Sequence, residues 1–118
     1  MKTLRTTFRT NEKELTLGYS NQDLSVMMRT HFSQHIGVFD NHTVANGMDT
    51  DAWVTRGRQQ VLNVVETFMA TGGDIGTLQD YMQQLSQFLS TVEDERIEIR
   101  HHYAWWYPKW LDMLRATW

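Results

Sequence analysis

The chain has 118 residues, no cysteine, a single proline, and 11 basic against 14 acidic side chains, giving a net charge of −3. The lack of cysteine excludes a disulfide scaffold, thiolate catalysis and Cys-ligated metal centres, while 41 % hydrophobic content excludes a disordered chain. No stretch has the roughly 18 consecutive apolar residues of a membrane span, and the charge balance does not suit a strongly basic nucleic-acid binder.

No repeat, low-complexity tract or Pro/Ser-rich seam divides the sequence, so one domain over 1–118 is expected. The opening residues Met1-Lys2-Thr3-Leu4-Arg5-Thr6-Thr7 carry no apolar stretch of the signal-peptide type, and a cytoplasmic location is expected. Leu4, Thr6 and Phe8 alternate with Arg5, Thr7 and Arg9; after Asn11-Glu12-Lys13-Glu14 a second run places Leu15, Leu17 and Tyr19 on one side. This period of two predicts a β-hairpin with one apolar face and one basic, threonine-rich face. Such a hairpin is marginal alone and needs helices or another strand to lean on.

Ser20 is a candidate N-cap for a helix over 22–34, in which Leu24, Met27, Met28 and Phe32 recur at helical spacing. Residues 36–50 contain Gly37, Asp40-Asn41 and Asn46-Gly47 and read as loop, with Ile36 and Val38 suited to a brief third strand. Asp49 or Thr50 can cap a second helix whose stripe is Val54, Val61, Val64, Val65 and Phe68, stopped by Gly72-Gly73. A third helix, capped by Asp74, carries Ile75, Leu78, Met82, Leu85, Leu89 and Val92 at alternating spacings of 3 and 4. That is an a/d seam, and it predicts either a homodimer along Leu78, Met82, Leu85 and Leu89 or a tight intramolecular bundle.

After Val92 two patterns compete. Ile99, Tyr103, Trp106, Trp110 and Met113 continue the seven-residue rhythm, which favours a helix through residues 93–107. Strict alternation of Ile97, Ile99, His101 and Tyr103 with Arg96, Glu98, Arg100 and His102 instead describes a strand pairing with the hairpin. Pro108 breaks whichever element precedes it and suits the first turn of a last short helix.

Several constellations invite a chemical reading. His31 and His35 are four apart, with Asp40 and His42 shortly after, but the HExxH zinc motif needs a glutamate where Phe32 stands. Half-buried, hydrogen-bonded histidines are the ordinary alternative. Glu98 and His101 form a Glu-x-x-His pair, and Glu66 could supply a further carboxylate. These three residues resemble the half-bundle scheme of the encapsulated ferritins, which implies a di-metal carboxylate oxidase completed across a dimer; a solvated Glu98 paired with Arg96 or Arg100 is the simpler reading. No Gly-x-Ser-x-Gly elbow is present. The turn before the third helix resembles a helix-turn-helix, but that helix has no Lys or Arg to meet phosphate before Arg96. Lys2, Arg5, Arg9 and Lys13 make a basic hairpin cluster that could touch nucleic acid weakly, although the acidic net charge argues against such a partner.

The C-terminal region is the most unusual. Six of the chain's 14 aromatic residues fall in 103–118: Tyr103, Trp105, Trp106, Tyr107, Trp110 and Trp118. One helix face cannot bury them all, and Trp, Tyr and Arg are the residues enriched at interface hot spots. The fold expected is α+β, mostly helical, with the hairpin packed on a three- to four-helix bundle. The function expected is a small, non-enzymatic protein-binding module without cofactor, in the manner of a phage or mobile-element inhibitor or assembly factor. Trp105, Tyr107, Trp110 and Trp118, with Arg100 and Arg115, would form its partner surface.

Overall fold

A computed structural model describes residues 3–38, 53–71 and 76–103. Four strands and three helices follow in the order β1 (Thr3–Arg9), β2 (Glu14–Gly18), α1 (Gln22–Ile36), β3 (Val54–Gly57), α2 (Arg58–Thr71), α3 (Gly76–Ser90) and β4 (Arg96–Tyr103). The strands form one antiparallel sheet in the order β2-β1-β4-β3. The α+β character expected from the sequence is present. Its layout is a helical layer on a four-stranded sheet, in which the predicted hairpin supplies an edge strand and a central strand.

Alternation decides which side of each strand faces the helices. Phe8 lies opposite Leu15 on β2 and Ile99 on β4, and Thr6 lies opposite Leu17 and His101. Phe8, Leu17, Ile97 and Ile99 are fully or almost fully buried with Leu24, Met28 and Phe32 of α1, Val61, Val64, Val65 and Phe68 of α2, and Leu78, Met82, Leu85 and Leu89 of α3. The central helix α2 packs between α1 and α3 and reaches β3 and β4, while α1 covers β1 and α3 covers β2. The a/d seam of α3 is thus consumed by the core of a single chain: Leu78, Met82, Leu85 and Leu89 are each no more than 2 % exposed, leaving no apolar stripe there for a second copy.

Residues 96–103 are strand, so the helical reading of 93–107 is corrected over that stretch. Two central ladders outweigh the seven-residue rhythm, because β4 is hydrogen-bonded to β1 on one side and β3 on the other. The start of the second helix is corrected as well. Val54 pairs with Ile99 in β3, and helix begins only at Arg58. Gln60 Oε1 accepts from the Gly57 N–H at 3.0 Å, a reach-back cap that fixes this strand-to-helix junction. Helix α2 ends at Thr71, immediately before the predicted Gly72-Gly73 stop, which lies with Asp74 outside the described residues.

At α1 the N-cap is Asn21 and not Ser20; its Oδ1 accepts from the Leu24 N–H at 3.0 Å. Ile36 ends that helix, and the predicted strand at Ile36 and Val38 is replaced by a cap. Gly37 adopts φ 69° and donates its N–H to Ser33 O, a left-handed conformation that glycine enters without a Cβ penalty. Two arginines finish helix C-termini. Arg56 Nε donates to Ile36 O at 3.2 Å, and Arg58 donates from Nε and Nη2 to Leu89 O at 3.1 and 2.8 Å. Cationic donors at this pole satisfy open carbonyls and oppose the helix dipole.

Two substitutions test the core. Leu85→Ala should lower the unfolding free energy by about 2–5 kcal/mol in denaturant titration, as for large-to-small changes at fully buried sites. Ser25 is fully buried in α1, and among the described residues its Oγ has no hydrogen-bond partner. Ser25→Ala removes a hydroxyl whose desolvation is uncompensated, and it should raise the melting temperature; a clear fall would mean that the hydroxyl has a partner.

Candidate functional site

Because side chains alternate, the helix-facing pattern dictates the opposite face. It carries Arg5, Thr7 and Arg9 from β1, Glu14 and Thr16 from β2, Arg96, Glu98, Arg100 and His102 from β4, and Thr55 from β3. Among the described residues no helix lies on this face. Four arginines therefore share a surface with two glutamates, on a chain whose net charge is −3.

The face is ordered by cross-strand contacts. Thr7 Oγ1 lies 3.1 Å from Thr16 Oγ1 and 3.0 Å from His102 Nε2, a polar row across β2, β1 and β4. Arg9 pairs with Glu98, the residue opposite it in the ladder, with both side chains about two-fifths exposed. Solvent screening makes that ion pair worth little. Trp53, immediately before β3, holds the Arg9 guanidinium 3.4 Å from its ring centroid, with the Arg100 guanidinium 5.7 Å away. A guanidinium over the indole face is favourable by roughly 0.5–2 kcal/mol, depending on desolvation. The result is an aromatic–cation contact at one side of a polar sheet surface.

The end of the face near the hairpin turn is different. An open groove there is lined by Arg9, Thr10, Asn11, Thr55, Asp94 and Arg96, among others. The turn is tied to the linker before β4, through Asn11 N–H to Asp94 Oδ2 at 3.2 Å and Lys13 Nζ to Thr91 O at 3.0 Å. Glu93, Asp94 and Glu95 give this rim an acidic border.

The predicted site residues are distributed unevenly. Arg100 lies on the open face, half-buried. Trp105, Tyr107, Trp110, Trp118 and Arg115 lie outside the described residues. The di-metal set Glu66, Glu98 and His101 is not brought together: Glu66 is exposed on α2, and strand geometry puts Glu98 on the open face but His101, 1 % exposed, on the helix-facing one. Among the described residues no three His, Asp or Glu side chains are placed to share a metal ion. The Glu-x-x-His spacing aligns two ligands on a helix and separates them on a strand.

Buried polar groups elsewhere are engaged in packing. Thr6 Oγ1 lies 2.6 Å from Tyr19 Oη and 2.7 Å from His101 Nδ1. Burial raises the Tyr19 pKa well above its ordinary value despite the opposing Thr6 hydrogen bond, so its hydroxyl stays protonated. Tyr81 meets the Tyr19 ring edge-on and donates to Gly18 O at 2.7 Å. His31 packs edge-on to Phe68 and His35, and its Nε2 donates to Val64 O at 3.0 Å. This matches the half-buried, hydrogen-bonded reading of that histidine; Asp40 and His42 lie outside the described residues.

Trp53 and the contribution of Arg96 to a basic surface were missed by sequence reasoning. The signal for Arg96 was the alternation of 96–103, which on a strand gathers Arg96, Arg100 and His102 beside Arg5 and Arg9. Comparison of the chain with protein-family models, curated proteins and solved structures finds no match. Among the described residues, no helix is long and apolar enough to cross a membrane.

His31 supplies a pH dependence. Burial, reinforced by the neighbouring His35, lowers its pKa from the usual 6.5 against the opposing Val64 bond. As pH falls below about 6.5, the unfolded chain takes up the proton before the folded one does, so stability drops. The melting temperature should decline from pH 7.5 to 5, and His31→Gln, which keeps a donor for Val64 O, should make that decline shallower.

Proposed function

We propose that the protein is a non-enzymatic binding module that docks its partner through the open face of the sheet. The asymmetry of the sheet carries this reading. One side is apolar and sealed by three helices; the other collects Arg5, Arg9, Arg96, Arg100 and His102 around a row of threonines and the Trp53–Arg9 stack. An arginine cluster on a net-acidic chain creates a local positive potential that steers an anionic surface toward it. Arginine and tryptophan are also the side chains that most often dominate binding energy when covered.

The tryptophan-rich segment continues this argument in sequence. It follows β4 directly, the strand that supplies Arg100 and His102, and its Trp105, Tyr107, Trp110, Trp118 and Arg115 would add aromatic anchors to a basic docking face.

The test is capture of macromolecules from a cell lysate by the tagged chain and by charge-reversed variants. Arg5→Glu with Arg96→Glu alters two exposed side chains on the face. It should reduce capture at least tenfold while leaving the melting temperature within a few degrees of the parent. Glu66→Arg, on the exposed side of α2, should leave capture unchanged. Equal capture by the parent and the Arg5/Arg96 variant would remove the open face as the docking site.

A further inference from the structure

We propose that the partner of the open face is a single-stranded nucleic acid, with phosphates meeting Arg5, Arg96 and Arg100 and a base stacking on the Trp53–Arg9 pair. This rests on the docking face proposed above and names its ligand class.

The arrangement of the cations is the first argument. Arg5 and Arg9 are four residues apart on β1, and Arg96 and Arg100 four apart on β4. At strand rise each pair spans about 13 Å. The charges are spread over two neighbouring central strands and do not converge on one point. Such spacing suits a polyanion crossing the sheet better than a lone phosphate or carboxylate. Arg56 and Arg58 differ, since both are committed to helix carbonyls on the other side.

The aromatic stack is the second. Single-stranded nucleic acids are held by positively charged surfaces combined with planar groups on which unpaired bases stack, and arginine planes serve as well as rings. The Arg9 guanidinium lies over the Trp53 ring, 3.4 Å from its centroid, Arg100 borders them, and Arg9 keeps about two-fifths of its side chain exposed. A duplex hides its base faces inside the helix and cannot use this stack. An acidic protein would satisfy the arginines but gains less from a flat aromatic platform. Thr16 and Thr55, both exposed on this face, add hydroxyls for sugar or phosphate oxygens. Asp94 and Glu95 line the groove beside Arg96 and oppose a phosphate backbone beyond it, which makes Arg96 the limit of the strand's path on that side.

The experiment is fluorescence anisotropy of labelled oligo(dT) of about 20 nucleotides with the full chain, across a salt series. About three arginine–phosphate contacts give a slope of about −2 in log K against log salt, or roughly 15–20-fold weaker binding between 50 and 200 mM salt. Arg5→Ala with Arg96→Ala should bring the slope toward −0.7, and Trp53→Ala should weaken binding at least about fivefold. Melting temperatures are recorded for each variant; because Trp53 adjoins β3, the two exposed arginines carry the test if Trp53→Ala fails to fold. Absence of binding at 50 mM salt, or binding that the arginine variant leaves unchanged, would overturn the proposal. Equal affinity for a duplex would overturn the stacking assignment. Preference for polyglutamate over oligo(dT) would overturn the nucleic-acid assignment and leave the docking face standing, whereas unchanged lysate capture by the charge-reversed variant removes the face itself.

Discussion

Pairing of β1 with β4 is the constraint on which the rest of the structure depends. It joins the first residues of the chain to residues 96–103 in a six-residue register from Thr3–Tyr103 to Arg9–Glu98, with a shift between Thr3 and Arg5. Without it, β1 and β2 are an isolated hairpin of the kind that is marginal in water, and β3, four residues long, is left with β4 as a second two-stranded unit. With it, Phe8 and Ile99 meet at the centre of the sheet and present a continuous apolar face to the helices. Among the described residues the pairing is also strongly non-local, joining positions up to 100 apart (Thr3 with Tyr103), so it carries a large loop-closure cost.

The same pairing generates the candidate site. A strand cannot bury one face without fixing the other, because side chains alternate strictly. Ile97, Ile99 and His101 turn inward, so Arg96, Glu98, Arg100 and His102 turn outward. β1 contributes Arg5, Thr7 and Arg9 by the identical logic, and the register sets Thr7 opposite Arg100 and Arg9 opposite Glu98. Charge on the open face is therefore a product of pairing. Neither segment alone would concentrate it, and the net charge of −3 conceals it.

Arginine has three distinct uses here. Arg56 and Arg58 close the C-termini of α1 and α3 and belong to the scaffold. Arg9 pairs with Glu98 and lies over the Trp53 ring. Arg5 and Arg96 are exposed on the sheet. Composition counts these as equivalent charges; their partners separate them.

Local pattern determined the elements whose period is unambiguous. The hairpin followed from alternation on either side of Asn11-Glu12, α1 from Leu24, Met28 and Phe32, and α3 from its seam. Residues 96–103 satisfied both a seven-residue rhythm and a two-residue one, because Ile99 and Tyr103 are four apart and Ile97, Ile99 and His101 two apart. Only the neighbouring strands decided between them, since backbone hydrogen bonds to β1 and β3 reward the extended form and are invisible to any local window. Val54 was assigned to a helix for the same reason, its partner Ile99 being 45 positions away. The metal triad Glu66, Glu98 and His101 depended on that helical period and dissolved with it. Sequence by itself determined the α+β class, the basic side of the hairpin and the burial of the third helix's seam; tertiary pairing alone decided that Arg96, Arg100 and Trp53 join that basic side, because which face a residue occupies is a property of the sheet and not of its immediate neighbours.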